Sequence, residues 1–374
     1  MRILLLGEYS NVHNTLAEGL RKFGHEVCVA SDGDDWKNYN RDIDLKRKST
    51  GKFYSFFYYI KLKRIFHKLR NYDIVQIINP IFLELSAKRI KTFYDYLRKY
   101  NKKVFLGAFG MDYYWVKTCL DCNTFRYSDF NIGLKPRTEE TYNKLLINEW
   151  LYGEKGTLNQ YIAKDCDGII CGLYEYYQCY NQIYLEKCTF IPFPIKLEET
   201  AQKKVKKSTD KIIFFIGIQK TRNEYKGTDI MFRALKRIKE EFPDKCEIIK
   251  VESVPFNEYK KLMNESDVLL DQLYSYTPGM NGLLAMSKGI VLVGGGEEEH
   301  YKLLKEEKLR PIINVFPSEN DVYIKLKNII MNPSTLKKLS EESVCYITKH
   351  HNYIKVAKQY LEFWKKNDSN YNSK

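Results

Sequence analysis

The sequence predicts an α/β protein of two domains, each built on a parallel β-sheet. Three observations support this. The chain has 374 residues, more than a single hydrophobic core usually organises. Short apolar runs alternate with helical patterns along both halves. The apolar runs are continuous, which is typical of parallel strands covered by helices on both faces.

The first half carries this alternation as far as a proline-rich stretch. Strands are predicted at residues 2–6, 25–31, 73–79, 102–110 and 167–172, and helices at 11–24 and 84–100. Residues 111–160 are polar and aromatic without a clear hydrophobic period, so the sequence predicts no definite helix or strand there. The charged stretch after IPFPI (191–195) predicts an interdomain linker that ends near Lys211.

The second half repeats the pattern. Strands are predicted at 211–217, 246–252, 266–273, 290–295 and 310–316, and helices at 227–241, 255–264, 279–288, 318–331, 334–348 and 350–365. The predicted division is a Rossmann-like domain at 1–195, a second at 196–349, a helix at 350–365 and a flexible tail at 366–374. Two such halves are expected to face each other across a cleft at the carboxyl ends of their strands.

The composition limits the classes of ligand and partner that are expected for this protein. A formal net charge of +14 favours anionic ligands. Zinc-finger spacing and aromatic RNA-binding strands are missing from the sequence, so nucleic acid is not expected as a partner. The apolar run at the N-terminus is too short for a signal peptide, and a cytoplasmic protein is expected. Nine cysteines fit reduced thiols, and Cys119 and Cys122 lack the second close pair of a structural zinc site.

The most informative segment is KIIFFIGIQKTRNEYKG (211–227). A strand that reaches Gly217 leads into a basic loop with Lys220, Arg222 and Lys226, and a helical pattern follows. A helix N-terminus and three cations suit a phosphate group. The alternative is a solvated basic loop.

The segment YTPGMNGLLAMSKGIVLVGG (276–295) completes a resemblance. Its glycines, its Ala285-Met286 pair and the following strand, together with the basic loop, resemble the GT-B glycosyltransferases, and glycosyltransferase family four in particular. The resemblance implies a nucleotide-diphosphate sugar as donor, and Gly279, Met280 and Asn281 as further diphosphate contacts. It implies no metal cofactor, because cations carry the charge of the leaving diphosphate. It also implies that the last helix crosses back to the first domain.

The sequence departs from this family at two positions. Retaining members place two glutamates where this chain has Tyr276 and Leu284. Gly217, Tyr276 and Glu299 are therefore the candidates for nucleotide or sugar binding. The run Glu297–Glu299 is a candidate source of a replacement carboxylate, but a glutamate run at a strand end is most often a solvated face.

The first domain is expected to bind the acceptor. Ser10 and Asn11 follow the first strand and are candidates for acceptor contact or for simple helix capping. His13 is a candidate general base. Asp112, in a Gly-x-Asp pattern of the family, is the first candidate for the base of an inverting reaction, with a turn-fixing cap as the alternative.

One segment suggests that the protein contacts a membrane surface. Residues 52–70 combine aromatic side chains with Lys61, Lys63, Arg64, Lys68 and Arg70. This pattern fits an interfacial helix on an anionic membrane, and it fits a core helix with a basic face equally well.

These observations predict a glycosyltransferase of hexosyltransferase type. It would transfer a sugar to a hydroxyl of a glycan or lipid-linked acceptor in surface polysaccharide synthesis, at the inner face of the membrane. A sugar-nucleotide epimerase of the same fold and a non-catalytic glycan- or membrane-binding subunit are the alternatives.

Overall fold

The computed structural model describes residues 1–49, 51–197, 211–219, 222–252 and 254–367. Most of the predicted interdomain linker, Lys220 and the tail from residue 368 lie outside the described residues.

The strands and helices follow the predicted alternation. The strands are β1 (Arg2–Leu6), β2 (Glu26–Ser31), β3 (Ile43–Asp44), β4 (Ile74–Ile77), β5 (Lys103–Ala108), β6 (Tyr127–Ser128), β7 (Asn131–Ile132), β8 (Lys135–Pro136), β9 (Gly168–Cys171), β10 (Cys188–Phe190), β11 (Ile212–Ile218), β12 (Cys246–Glu252), β13 (Val268–Leu270), β14 (Val291–Gly294) and β15 (Ile313–Asn314). The helices are α1 (Val12–Lys22), α2 (Lys52–Phe66), α3 (Ala87–Tyr100), α4 (Tyr113–Cys119), α5 (Thr141–Ile147), α6 (Glu154–Asp165), α7 (Tyr174–Tyr184), α8 (Asn223–Lys226), α9 (Thr228–Glu241), α10 (Phe256–Met263), α11 (Met280–Ser287), α12 (Glu298–Leu303), α13 (Glu319–Met331), α14 (Thr335–Tyr346) and α15 (Tyr353–Lys366).

The chain divides into two compact units. The first comprises Met1–Lys117, Ile147–Pro194 and the described chain from Tyr353 onward, and the second comprises Thr118–Leu146 and Ile195–Asn352. The predicted first domain ran unbroken to residue 195, whereas the structure groups residues 118–146 with the second unit. We call residues 118–146 the insert. Its sequence has no clear periodicity, so no pattern marked the change.

The first unit is built on a parallel sheet in the order β10-β9-β5-β4-β1-β2-β3. Leu4 of the interior strand β1 pairs with Cys28 on one side and Val75 on the other. Residues 3–6 have no exposed surface, which explains their continuous apolar sequence. The α7–β10 pair was not predicted, because the tyrosine-rich sequence of α7 obscures its period.

The second unit contains a smaller parallel sheet in the order β12-β11-β13-β14-β15. Phe214 and Ile216 of β11 are fully buried, and they belong to a core cluster with Leu235 of α9 and Leu326 of α13. The insert adds a separate antiparallel sheet in the order β6-β7-β8. The predicted strand at 310–316 is reduced to the two residues of β15.

The last helix packs within the first unit. Val356, Tyr360 and Trp364 of α15 are buried. At Gly19 of α1 a Cβ atom would lie 2.6 Å from the carbonyl oxygen of Tyr353 and 2.8 Å from Cβ of Ala357. Glycine therefore permits the close approach of α1 and α15. None of the helices in the described residues is long and apolar enough to cross a membrane.

A larger residue at position 19 should separate these two helices. We expect Gly19→Leu to destabilise the protein by about 1–3 kcal/mol through overpacking, which lowers the melting temperature by several degrees. Lys22→Leu, on an exposed position of the same helix, is the matched control and should melt like the parent. The two variants are compared by thermal unfolding. Equal melting temperatures would contradict the proposed contact.

Candidate functional site

The turn after β11 lies at the carboxyl edge of the second sheet. β11 ends at Ile218, the short helix α8 follows, and α9 begins at Thr228. Gly227 joins the two helices with a φ of 69°, and a Cβ there would lie 2.7 Å from Cβ of Leu273. Glycine is thus required both by the left-handed backbone and by the close approach.

The described residues place two of the three predicted diphosphate cations on this turn. Arg222 is exposed just before α8, and Lys226 is half-buried at its end. The third, Lys220, lies outside the described residues. The 14-residue helix α9 adds the partial positive charge of its N-terminus. The turn therefore places two cations before a helix N-terminus, together with two carboxylates, Glu224 of α8 and Asp229 in the first turn of α9.

The insert packs on α8 through Arg137, a residue that the sequence analysis did not single out. Its guanidinium donates to the carbonyl oxygens of Glu224 (2.9 Å) and Asp129 (3.1 Å) and lies 3.0 Å from the carboxylate of Glu140. It also sits 3.9 Å from the ring centroid of Tyr274. The Arg137 side chain is only 9% exposed, so its charge depends on these partners.

Two further contacts tie the insert to the same turn. Nε of Arg222 donates to the hydroxyl of Tyr142 at 2.9 Å. The hydroxyl of Tyr225 donates to the carboxylate of Asp129 at 2.6 Å. The insert therefore contacts Arg222, one of the predicted diphosphate cations, and Glu224 and Tyr225 of α8. Its richness in aromatic side chains was its only signal in the sequence.

The insert makes a second group of contacts through Arg126. Its backbone N–H donates to the hydroxyl of Tyr276 at 2.7 Å, and its guanidinium lies 5.0 Å from that ring. The side chain forms ion pairs with Glu297 (2.8 Å) and with Glu299. The hydrogen bond to Glu299 is the main cause that raises the pKa of Arg126. Tyr276 is 2% exposed, so two predicted donor-binding residues are held by the insert.

Glu297 is buried rather than solvated. It is 6% exposed and accepts hydrogen bonds from the hydroxyl of Tyr127, from Nδ2 of Asn314 (2.9 Å) and from Arg126. The solvated-face interpretation is therefore wrong for Glu297. It is correct for Glu298, which is exposed.

The start of α11 carries a negative charge. Nδ2 of Asn281 donates to Asp271 Oδ1 at 3.3 Å, and Cβ atoms at Gly279 and Gly282 would lie 3.4 and 3.2 Å from Asp271 Oδ2. The adjacent Met280 is half-buried. The Asp271 carboxylate would repel an anion at the start of α11, whereas the turn after β11 offers the cations Arg222 and Lys226 beside its own carboxylates, Glu224 and Asp229.

Gly217 faces an aromatic ring in the same region. A Cβ at this position would lie 2.7 Å from the hydroxyl of Tyr259 on α10. Burial raises the pKa of Tyr259, and the charge of Asp271 adds to this effect. Gly217 thus makes room for a tyrosine side chain.

In the first unit, Glu8 follows β1 and was missed by the sequence analysis. Its carboxylate accepts the backbone N–H groups of His13 (3.1 Å) and Asn14 (2.8 Å) at the start of α1. Burial raises the pKa of Glu8 to about 8 although these N–H groups oppose the effect. A protonated, buried glutamate therefore holds the N-terminus of α1.

His13 is fully buried and neutral. Burial lowers its pKa to about 4, and its Nδ1–H donates to the carbonyl oxygen of Gly7 at 2.8 Å. This tautomer leaves the lone pair on Nε2, which is buried and has no hydrogen-bond partner among the described residues. A general base requires this protonation state.

Ser10 and Asn11 both adopt left-handed backbone conformations, with φ of 51° and 70°. The backbone N–H of Ser10 donates to Asp34 at 2.7 Å, and Lys37 donates to its hydroxyl at 3.0 Å. Asn11 occupies the N-cap position of α1 without a capping hydrogen bond from its side chain. The capping interpretation is therefore wrong for these residues, because Glu8 performs that role.

Asp112 is fully buried ahead of α4. One carboxylate oxygen accepts the N–H of Trp115 at 2.8 Å, and the other accepts the hydroxyl of Tyr180 at 2.8 Å. The Tyr180 hydroxyl in turn accepts from Asn159 at 3.0 Å. Burial raises the pKa of Asp112 to about 7. These contacts match the alternative of a cap that fixes the turn.

Within the described ranges, no three His, Cys, Asp or Glu side chains are grouped to hold a metal ion. Neither Cys119 nor Cys122 takes part in a disulfide.

Removal of Arg137 should detach the insert from α8. We expect Arg137→Ala to cost about 3 kcal/mol, because buried partners lose charge-assisted hydrogen bonds, and to speed proteolysis within residues 118–146. Arg137→Lys should recover little of the lost stability, since lysine lacks the planar guanidinium group that donates several hydrogen bonds at once. The exposed Lys135→Ala is the matched control. If Arg137→Ala melted and was cleaved like the parent, Arg137 would not be the residue that holds the insert on α8.

The buried Glu8 should make stability fall with pH. Its folded pKa lies above the unfolded value, so the folded state holds a proton that the unfolded state has released. Between pH 7 and 8, where His13 is largely neutral in both states, this costs about 1 kcal/mol. Glu8→Gln should show a shallower decline in chemical unfolding over this interval. Identical slopes for both proteins would contradict a protonated Glu8.

Comparison with known proteins places these units in a known architecture. No protein-family model and no curated protein matches the sequence. Solved structures do match along the whole chain. Sucrose-phosphate synthase from Thermosynechococcus elongatus is 12% identical, with a TM-score of 0.62 over 98% of this chain and 99% of that one.

Two other solved structures are similar. WaaG, a glycosyltransferase involved in lipopolysaccharide biosynthesis, is 11% identical, with a TM-score of 0.58 over 97% of this chain and 99% of that one. UDP-GlcNAc 2-epimerase from Neisseria meningitidis, bound to UDP-GlcNAc, is 11% identical, with a TM-score of 0.55 over 98% and 100%. These likenesses confirm the predicted fold: the chain has the GT-B architecture of two Rossmann-like domains.

Proposed function

We propose that the protein is a glycosyltransferase that moves a sugar from a nucleoside-diphosphate donor to a hydroxyl of a glycan or lipid-linked acceptor in surface polysaccharide synthesis. The second unit would bind the donor and the first unit the acceptor. The observation that carries the proposal is the turn after β11, where Arg222 and Lys226 precede the N-terminus of α9 at the carboxyl edge of a parallel sheet.

The chemistry follows from this charge. A leaving diphosphate gains negative charge in the transition state, and fixed cations stabilise that state more than the ground state. Under this proposal the arginine and lysine take the role that a metal ion has in other transferases. The contact of Arg222 with Tyr142 holds the arginine in place before the donor binds.

The residues at the two family glutamate positions favour an inverting reaction. Tyr276 is buried beneath the insert, and Leu284 has no polar group. An inverting reaction needs one general base for the acceptor hydroxyl. Both predicted bases, His13 and Asp112, are fully buried; both oxygens of Asp112 accept hydrogen bonds, while Nε2 of His13 has no partner among the described residues.

An epimerase is the second candidate. The likeness to a 2-epimerase bound to UDP-GlcNAc supports it as a fold-level analogy. An epimerase would convert the donor without any acceptor. A non-catalytic subunit would bind nucleotide sugar without converting or transferring it.

A screen of nucleotides and nucleotide sugars by thermal shift tests the proposal, because a ligand that binds only the folded state raises the melting temperature. The best ligand is then incubated with and without candidate acceptors. We expect release of nucleoside diphosphate that depends on the acceptor. Conversion of the sugar without an acceptor would instead identify an epimerase, and binding without turnover would identify a non-catalytic subunit.

The cations of the turn should discriminate between ligands. We expect Arg222→Ala and Lys226→Ala each to weaken the binding of diphosphate-containing ligands about tenfold. The bare nucleoside should bind each variant with the same affinity as it binds the parent. Lys236→Ala, at an exposed lysine farther along α9, is the matched control. Affinities are measured by calorimetry. An equal loss for the nucleoside and the diphosphate would refute the assigned role.

A further inference from the structure

A cavity of about 620 Å³ lies at the carboxyl edge of the sheet in the first unit. Its lining includes Ile81, Leu83 and Leu85 from the loop that follows β4, and Arg89 from the first turn of α3. The chain reaches β4 only after β2 and β3, which lie on the other side of β1. The strand order therefore reverses between β1 and β4. Open α/β sheets bind ligands outside the strand ends at such a point, and the volume is typical of small-molecule sites.

Helix α2 forms one wall of this cavity. Tyr58, Leu62 and Phe66 are buried, so the core-helix interpretation of the sequence is correct for the later turns of α2. Ser55, one turn earlier, lines the cavity, and its hydroxyl accepts a hydrogen bond from the guanidinium of Arg47. The wall is thus fixed by core packing on one side and by a polar contact on the other.

Two of the three cations that line the cavity already have carboxylate neighbours. The charged lining residues are Arg47, Glu84, Arg89 and Lys155. Nζ of Lys155 lies 2.6 Å from the carboxylate of Glu149. Burial and the charge of Asp32 raise the pKa of Glu84, and the N–H and the charge of Arg47 oppose this rise. Neither Lys155 nor Arg47 therefore offers a full charge to a ligand.

Arg89 is the third cation of the lining. Its side chain is exposed at the start of α3. Among the described residues it forms no ion pair with a carboxylate, and its guanidinium lies 4.8 Å from the ring centroid of Tyr59. An arginine held against an aromatic ring keeps the planar group that binds a carboxylate or a phosphate through two parallel hydrogen bonds. Arg89 is thus the anion-binding group of the cavity.

The rest of the lining suits the body of a sugar. Ile81, Leu83 and Leu85 offer apolar surface to the C–H groups of a sugar ring. The carboxylate of Glu84 can accept hydrogen bonds from sugar hydroxyls. Apolar walls with a few polar groups that fix orientation are typical of small-molecule sites. The cavity therefore combines a cation, a hydrogen-bond acceptor and apolar surface.

We infer that this cavity binds an acidic saccharide, a sugar that carries a carboxylate or a phosphate, with the anionic group on Arg89. The inference rests on the proposed function only in taking this saccharide as part of the acceptor. Carboxylate and phosphate share the planar or tetrahedral oxygen pairs that a guanidinium recognises, so both kinds of sugar are needed as probes.

Binding of soluble sugars to the full-length protein tests the inference. Glucuronic acid, glucose 6-phosphate, glucose and inorganic phosphate are titrated separately, and the dissociation constants are measured by nuclear magnetic resonance. Arg89→Gln removes the positive charge, and Arg89→Lys keeps the charge without the planar group. Lys99→Gln, at an exposed position in the last turn of the same helix, is the matched control.

We expect the parent to bind at least one of the two acidic sugars about tenfold more tightly than glucose. Arg89→Gln should lose most of this preference, Arg89→Lys should keep part of it, and Lys99→Gln should keep all of it. Equal affinities of the parent for the acidic sugars and glucose would overturn the inference, as would an unchanged preference in Arg89→Gln. Inorganic phosphate bound as tightly as the better acidic sugar would also overturn it, because the sugar would then contribute nothing.

Folding and the proposed function are checked separately. Arg89 and Lys99 are exposed, so each variant should melt like the parent. The variants should also keep the thermal shift with the nucleotide sugar, which the second unit is proposed to bind. A parent with a donor shift and no preference for acidic sugars would contradict this inference alone. A parent that prefers acidic sugars and shows no donor shift would count against the proposed function alone.

Discussion

Parallel strand pairing is the constraint on which the rest of this chain depends. Parallel neighbours need crossover connections, so all strands of each sheet end at one edge. The residues with chemical interest follow strand ends for this reason. Glu8 and His13 come after β1, Asp112 after β5, and the cationic turn after β11. Packing alone therefore brings polar groups to the carboxyl edges of both sheets.

Charged groups at such edges must be paired or neutralised, and the chain uses both solutions. Glu8 is held protonated, because burial favours the neutral carboxyl and the N–H groups of α1 do not compensate fully. Arg137 and Glu297 are held by charge-assisted hydrogen bonds within the second unit. These groups fix the backbone at the start of α1 and around α8. The ordering of that backbone offsets the free energy that is lost when the groups are removed from water.

The insert is the part of the structure that differs from the sequence-based prediction. It comes from the middle of the first half, yet it supplies partners to residues of the second unit. Arg126 holds Tyr276 and Glu299, and Tyr142 holds Arg222. Tyr276 is thus bordered by the guanidinium of Arg126 and by the rings of Phe125 and Tyr127, and Arg126 is in turn paired with Glu297 and Glu299.

The sequence by itself determined the α/β class, nearly all strands of both sheets and the cationic turn with Arg222 and Lys226. Continuous apolar strands and a glycine before a helix are local patterns, and local patterns can be read without knowing the fold. Tertiary structure alone decided the path of the insert, the burial of Glu297 and the roles of Arg126, Arg137 and Glu8. These depend on contacts between residues far apart in the chain, such as Arg137 with Glu224, and neither spacing nor periodicity records such contacts.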